Sequence, residues 1–294
     1  MKIVFFGSSK YSVIDEKAFS EKIGLSLVVT LPDRTHPKTK QLLPNPVKKY
    51  AAEQKIPVIT TEKLTPDIVD QIKKIEPDFL VVADYGLILP KNLLQLPKKA
   101  AINVHHSLLP KYRGPAPVPF ALLNGEQTVG VTIILMTPTV DAGDILAQEK
   151  YSVEPEDTTD SILTKLNELG SQLAIKVVEN FDEYFQKRTP QNESQATFTH
   201  FMKKDDGFVS EKTPKEQIQR MIHAYFPWPG VWTKAQIKNK ETRIKLLPSS
   251  SHPELDSGSS HCLIQIEGKK PVTYKDFING YAEGKEILQK LGLI

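Results

Sequence analysis

The chain has 294 residues, of which 39% are hydrophobic and 25% are charged, and its formal net charge of +3 says little about partners by itself. That length is enough for two domains with sizeable cores. A single cysteine excludes an internal disulfide, and neither a signal-peptide core nor a membrane-length apolar run is present, so we expect a cytoplasmic protein with no membrane partner.

Strands and helices alternate along the first hundred residues. Buried strands are predicted at 2–6, 25–31, 56–59 and 79–83, and helices at 13–23, 47–54, 67–75 and 90–96. This alternation predicts an α/β fold with a Rossmann-like, doubly wound and mainly parallel sheet. The turn after the first strand holds one glycine, Gly7, which is far from a GxGxxG dinucleotide fingerprint.

Residues 101–125 form the stretch on which the rest of the chain is organised. An apolar run leads to Asn103 and His105, which share one face of the predicted strand because side chains on a face repeat every two residues. Prolines from Pro110 onward prevent regular structure after the strand. A polar pair at a strand end, followed by a stiff loop, is where open α/β sheets place their chemistry.

The chain changes character after residue 188. Before that point strands are predicted at 129–136 and 147–153 and a long helix at 157–184. After it come a polar, turn-rich segment at 188–200, a helix at 215–226 and short strands at 231–237, 242–247 and 261–266. The pattern predicts a domain at 1–188, a linker at 189–206 and a small β-rich domain at 207–294.

Asn103 and His105 are the first candidates for chemistry. The amide of Asn103 and a protonated His105 can both donate to an oxygen that gains negative charge. Asp141 follows another predicted strand and could face the same sheet edge. The alternative is that the first two only satisfy backbone groups and that Asp141 makes an Asx turn. His106 points to the opposite face, where a structural role is expected, and no helix presents the histidine pair of a metal site.

Positive charge is concentrated in two places. The loop after Asp33 carries Arg34, His36, Lys38 and Lys40, and residues 234–245 carry five bases and one acid. A basic stripe on a small β-domain is compatible with binding a phosphate backbone, and the alternative is a solvated surface.

Three motifs together resemble the signature of the formyltetrahydrofolate-dependent formyltransferases. They are residues 103–110 (NVHHSLLP), 112–114 (YRG) and 140–144 (VDAGD). The resemblance extends over nearly the whole chain, and further matches lie at 2–13, 32–34, 46–48, 85–90, 227–230 and 268–271. Within the family it is greatest to the members that act on initiator methionyl-tRNA.

The resemblance implies formyl transfer from 10-formyltetrahydrofolate to the methionine amine, without a metal. Asn103 and His105 would stabilise the oxyanion, and Asp141 would position His105 or a water and help move protons. The residues implied to line the folate site are Gly86, Leu87, Ile88, Leu89, Ser107, Leu108, Leu109, Pro110 and Asp144. The residues implied to bind tRNA are Arg34, Lys38, Lys40, Lys234, Lys238, Lys240 and Arg243.

The chain departs from the family pattern at three points. His106 stands at a usually small position, Pro115 replaces an alanine, and the segment 245–261 is short. The short segment predicts that the second domain, an OB-like barrel in the family, is reduced or partly open, and five strands in a closed barrel would contradict this. Nothing in the sequence indicates an obligate assembly, so a monomer is expected.

Three other functions fit parts of the sequence. An amino-sugar-nucleotide formyltransferase shares the core motif but has little need of the basic loop at 33–46. A hydrolase that releases formate from the folate needs no nucleic-acid domain. A non-catalytic RNA-binding protein has no use for oxyanion donors.

Overall fold

The computed structural model describes residues 1–35, 39–251 and 262–294. These residues form two compact units, each assembled from separate segments of the chain. The first unit comprises Met1–Pro117, Val129–Tyr151 and Leu163–Thr199. The second comprises Val118–Thr128, Ser152–Ile162 and His200–Ile294. Among the described residues, no helix combines the length and the apolar character that crossing a bilayer requires.

The first unit is built on a seven-stranded sheet. Its strands are β1 (Ile3–Phe6), β2 (Leu27–Thr30), β5 (Val58–Thr60), β6 (Phe79–Val82), β7 (Ala100–His105), β8 (Thr128–Leu135) and β9 (Ile145–Ser152), while β3 (Arg34–Thr35) and β4 (Leu42–Leu43) form a separate antiparallel pair. The order is β5-β2-β1-β6-β7-β8-β9, with parallel pairing from β5 to β7 and antiparallel pairing of β8 with β7. The predicted Rossmann-like, mainly parallel sheet is confirmed.

Helices cover both faces of this sheet. In chain order they are α1 (Ser12–Lys22), α2 (Pro46–Glu53), α3 (Pro66–Ile75), α4 (Lys91–Leu94), α6 (Thr159–Glu179) and α7 (Phe181–Gln186), while α5 (Pro117–Leu123) belongs from Val118 onward to the second unit. The single helix predicted at 157–184 is divided at Asn180, whose backbone leaves the helical region at φ −119° and ψ 37°. The Asn180 side-chain amide donates to the Lys176 carbonyl at 3.1 Å, so it satisfies one carbonyl at the end of α6.

Strand β1 shows how the two apolar layers arise from sequence. Ile3 and Phe5 pack into the layer that contains α1, α2 and α6, whereas Val4 and Phe6 pack into the layer that contains α3 and α4. All four side chains are fully buried. Continuous apolar character is what a parallel strand covered on both faces requires. Burial of each such side chain stabilises the fold by about 1.5–3 kcal/mol. The sheet that carries Asn103 and His105 at its edge is therefore held rigidly.

The second unit contains the predicted β-rich region. Its strands are β10 (Val231–Ile237), β11 (Lys240–Pro248) and β12 (Cys262–Ile266), and its later helices are α8 (Lys215–Ala224), α9 (Tyr274–Gly280) and α10 (Gly284–Lys290). The strands pair in order as an antiparallel sheet. Lys238 and Asn239 join β10 to β11 with φ of 50° and 62°, as a two-residue I′-type hairpin turn requires. Residues 252–261, most of the short segment noted above, lie outside the described residues.

Within residues 200–251 and 262–294 the sheet of the second unit has three strands, and no five-stranded closed barrel forms there. Isolated bridges join Phe208 to Trp232 and Ile264 to Val272. Earlier segments of the chain complete the unit: the Thr159 hydroxyl donates to the Ala224 carbonyl at 2.6 Å, and His223 Nδ1 lies 2.8 Å from the Asp157 carbonyl oxygen.

Candidate active site

The three predicted catalytic residues converge at the end of β7. Asn103 and His105 occupy alternate positions of that strand, and Asp141 reaches them from the loop between β8 and β9. The Asp141 carboxylate lies 3.4 Å from Asn103 Nδ2 and 3.6 Å from His105 Nδ1. Its Oδ2 also accepts the Gly114 amide at 2.8 Å. Asp141 has φ +52°, a left-handed conformation that aspartate tolerates better than most residues.

His105 is buried, and one of its ring nitrogens is engaged in a hydrogen bond. Its Nε2 lies 3.0 Å from the Tyr112 carbonyl oxygen, so Nε2 carries the proton and donates. Burial holds the pKa of His105 below its usual value, although the Asp141 carboxylate opposes this shift. The imidazole is therefore neutral near pH 7, and Nδ1 presents a lone pair on the Asp141 side. In this state His105 is a proton acceptor, while Asn103 is the donor that an oxyanion can use.

A buried arginine fixes the loops around the site. Arg113 is 2% exposed, and its guanidinium donates to Gln191 Oε1 at 2.8 and 3.0 Å and to the Glu193 carboxylate at 2.7 and 2.9 Å. The Gln191 amide donates onward to the backbone carbonyls of Asp141 at 2.7 Å and Gly143 at 2.8 Å. This set of contacts, the Arg113 clasp, holds the Asp141 loop against the loop after β7.

Sequence reasoning missed two members of the Arg113 clasp, because Gln191 and Glu193 lie in the predicted linker at 189–206. Residues 189–199 are instead part of the first unit. The available signal was Arg113 itself, since a guanidinium within an apolar loop must be paired when it is buried. That signal indicates that partners exist and leaves their positions in the chain open.

The first predicted folate segment is held firmly at the end of β7. The Ser107 hydroxyl donates to the Lys111 carbonyl at 2.6 Å, and its own carbonyl accepts from Thr132 Oγ1 at 2.6 Å. The Leu109 carbonyl accepts from Gln148 Nε2 at 2.9 Å. Ser107 and Leu109 are buried, while Leu108 and Pro110 are partly exposed. This segment can therefore contact a ligand through its backbone and its partly exposed side chains, but not through Ser107 Oγ.

The second predicted folate segment follows β6, the neighbour of β7. Gly86 has φ +88°, and a Cβ added there would meet only a Leu31 methyl at 3.9 Å, so the backbone is open to a ligand. Ile88 is 76% exposed, whereas Leu89 is buried. Leu87 packs partly buried against the sheet. An exposed apolar side chain beside an open backbone suits a flat heteroaromatic ring.

Asp144 lies on the same loop as Asp141, but its carboxylate is paired. Asp144 Oδ2 accepts from Arg188 Nε at 3.0 Å, and its backbone carbonyl accepts from the Leu135 amide. Among the described residues, no group of three or more histidine, cysteine, aspartate or glutamate side chains is placed to hold a metal ion.

The residues predicted to bind tRNA lie in two separate regions. In the first unit Arg34 and Lys40 are exposed, Arg34 in β3 and Lys40 shortly before β4, while Lys38 lies outside the described residues. The other four are on the β10–β11 hairpin of the second unit. Lys238 is in the turn, and Lys240 begins β11.

The hairpin also carries an aromatic stack that the sequence did not reveal. Arg243 lies over the Trp232 ring, 3.9 Å from its centroid, and Trp232 is 4.9 Å from the Phe208 ring. Lys234 is directly opposite Arg243 in the sheet, but its ammonium pairs with Glu241 at 2.8 Å. On this face Arg243 therefore supplies a positive charge, and the exposed Phe208 supplies an aromatic ring on which a base could stack.

Two family models match successive parts of the chain, and the first of them spans segments 118–128 and 152–162, which the structure groups with the second unit. Residues 1–178 match the family described as formyl transferase, and residues 202–261 match the formyl transferase C-terminal domain. A methionyl-tRNA formyltransferase from Thermodesulfovibrio yellowstonii is 35% identical over 298 residues, 95% of each chain. One from Latilactobacillus sakei is 40% identical over 245 residues, 82% of this chain and 76% of the relative. The solved methionyl-tRNA formyltransferase from Clostridium thermocellum shares the fold, with a TM-score of 0.62 at 16% identity over 93% of this chain and 99% of its own.

Proposed function

This chain belongs to the formyl transferase family, and from that membership we propose that it transfers the formyl group of 10-formyltetrahydrofolate to the α-amine of initiator methionyl-tRNA. The product is N-formylmethionyl-tRNA for translation initiation. The observation that carries the proposal is the convergence of Asn103, His105 and Asp141 at the end of β7, where the Asp141 carboxylate lies 3.4 Å from Asn103 Nδ2 and 3.6 Å from His105 Nδ1. The first unit would perform the chemistry and the second unit would hold the tRNA, in a cytoplasmic and monomeric enzyme.

The oxyanion donor is assigned to Asn103. Attack by the methionine nitrogen on the formyl carbon forms a C–N bond and places negative charge on the formyl oxygen. The Asn103 amide makes only a 3.4 Å contact to Asp141 in the free enzyme, so exchanging it for a bond to that oxygen costs little. Removal of a single oxyanion donor typically costs about 10²–10³ in kcat.

The proton path is assigned to Asp141 and His105. The amine must lose a proton as it attacks, and the folate nitrogen must gain one when its bond to the formyl carbon breaks. Asp141 is held by the Gly114 amide and flanked by the His105 Nδ1 lone pair, so both can accept the amine proton. Asp141 then returns a proton to the leaving nitrogen, and charge and atoms balance without a metal or redox group.

The folate segments and the hairpin are assigned by their positions. The segments 86–89 and 107–110 follow adjacent parallel strands, so they lie at the same sheet edge as the catalytic residues. For the tRNA, Arg243 stacked on Trp232 supplies both charge and an aromatic face, and Arg34 and Lys40 supply exposed charge on the first unit.

The test is a formylation assay with matched acceptors. The purified chain is incubated with 10-formyltetrahydrofolate and either initiator methionyl-tRNA or an amino-sugar nucleotide, beside Asn103→Ala. We expect formyl-methionyl-tRNA from the wild type and a rate reduced about 10²–10³-fold in the variant. Formylated sugar alone would establish the amino-sugar alternative. Free formate without either product would indicate a hydrolase, and tRNA binding without turnover a non-catalytic RNA-binding protein.

A further inference from the structure

Three titratable side chains form a buried cluster beside the catalytic residues. Asp15 comes from α1, Asp84 from the turn after β6, and His106 from the position after the end of β7. Asp15 is fully buried, and His106 is 4% exposed. His106 Nδ1 lies 3.5 Å from Asp84 Oδ1, and the Ser9 hydroxyl donates to Asp84 Oδ2 at 3.1 Å. The assigned chemistry uses none of these groups.

The electrostatics of the cluster favour one charge distribution. Burial alone would lower the pKa of His106, but the Asp84 carboxylate beside it raises the pKa above the usual value. Burial alone would raise the pKa of Asp84, but His106 and the Ser9 hydroxyl bring it below the ordinary value. Burial holds the pKa of Asp15 well above its ordinary value. These directions favour a protonated His106 beside an ionised Asp84, with the buried Asp15 carboxyl group neutral.

The positions of His106 and Asp84 connect the two folate segments. Strands β6 and β7 are adjacent and parallel, with Val82 in register with Asn103. Asp84 has φ +46° and stands two residues before Gly86, and His106 directly precedes Ser107. An ion pair between them ties the start of one folate segment to the start of the other. His106 is also one of the points where the sequence departs from the usual family pattern.

We propose that His106 and Asp84 form a buried ion pair that positions segments 86–89 and 107–110 and thereby sets the affinity for the folate. The inference rests on the proposed folate site. His106 is a positioning residue, since it acts through the backbone on both sides of the pair. Loss of its proton leaves the Asp84 carboxylate buried without a counter-charge, so folate binding weakens as pH rises through the titration of His106.

The readout is folate binding, because the pair also acts on His105. Asp84 attracts a proton to His105 and His106 repels it, so a change in either alters turnover through the catalytic imidazole as well. Calorimetric titration with 5-formyltetrahydrofolate, a stable isomer of the donor, isolates the affinity. The variants are His106→Gln, Asp84→Asn and the double substitution, with His200→Gln as a matched control at an exposed histidine.

For the wild type we expect affinity that falls as pH rises above 6.5, the ordinary pKa of a histidine. His106→Gln should weaken binding at pH 6.5 by about tenfold, the effect of one charge-assisted hydrogen bond, and should remove the pH dependence. The double variant should recover part of the loss because it leaves no unpaired carboxylate. His200→Gln should bind as the wild type does.

The ¹⁵N imidazole spectrum of the wild-type protein tests the charge state directly, even if His106→Gln does not fold. An imidazolium at His106 at pH 7 supports the ion pair, and a neutral ring there overturns it. Wild-type affinity and pH dependence in a folded His106→Gln protein would also overturn the inference while leaving the proposed function intact. Absence of folate binding by the wild type would instead refute the folate site, and the inference with it.

Discussion

Replacing Gly143 by alanine should disturb catalysis through backbone geometry alone. Gly143 lies in the loop that carries Asp141, and a Cβ added there would overlap the backbone carbonyl of Leu135 at the end of β8. A strand carbonyl cannot move aside as a flexible side chain can. The loop itself must therefore shift, and it takes Asp141 with it.

The contacts at risk set the size of the effect. The Gly114 amide bond to Asp141 at 2.8 Å is charge-assisted and worth about 1.5–3 kcal/mol. Crowding of a packed site typically costs about 1–3 kcal/mol in stability. A displacement of about 1 Å in a catalytic group can cost about 10²-fold in rate. We expect kcat to fall by about 10²-fold and the thermal midpoint by several degrees.

The assay is the rate of formyl-methionyl-tRNA formation at saturating folate, with thermal unfolding measured on the same samples. Gly280→Ala is the matched control, because a Cβ there would meet nothing within 4 Å. Gly280→Ala should behave as the wild type does. If the kcat of Gly143→Ala is also within about twofold of the wild type, the view that Gly143 fixes the position of Asp141 is refuted.

Three further predictions test other parts of the structure. Gln191→Ala removes two bonds to the Asp141 loop and should lower kcat about tenfold, whereas the exposed Gln195→Ala should not. Burial raises the pKa of Glu16 from 4.5 to about 8. The stability that the neutral Glu16 side chain allows is therefore complete below pH 4.5 and is lost as pH rises through 8. Denaturation curves should show Glu16→Gln more stable than the wild type at pH 9 and equal to it near pH 4.5. Arg243→Ala should weaken tRNA binding and reduce its salt dependence, measured by filter binding, more than Lys234→Ala, because Lys234 is already paired.

The sequence predicted most strands and helices of the first unit, because these depend on local periodicity. It also predicted that Asp141 would face the edge that carries Asn103, although β8 runs antiparallel to β7 and the loop between β8 and β9 is what brings Asp141 there. The division at Asn180 could not be foreseen, since it lies in the backbone angles of one residue within a continuous helical pattern. The protonation of His105 was open for a similar reason. Its neutral state follows from burial and from the Tyr112 carbonyl, and neither can be read from spacing.

Contacts between distant segments were the least accessible to sequence reasoning. The Arg113 clasp joins residues 78 and 80 positions apart. The stack of Arg243 on Trp232 depends on strand register and hairpin length together. Patterns of three or four residues carry no information on such pairs, whereas the buried guanidinium and the I′-type turn each indicate that a partner is required.

The interleaving of the two units has a consequence for the order in which the chain is made. Segments 118–128 and 152–162 leave the ribosome well before the remainder of their unit at 200–294. These two segments cannot pack into their unit until residues 200–294 have been synthesised, whereas the chain between and after them belongs to the first unit. A fragment that begins at residue 207 would be made without the contacts from Thr159 to Ala224 and from Asp157 to His223. Exchange of the C-terminal third between relatives would therefore transplant only part of a folding unit.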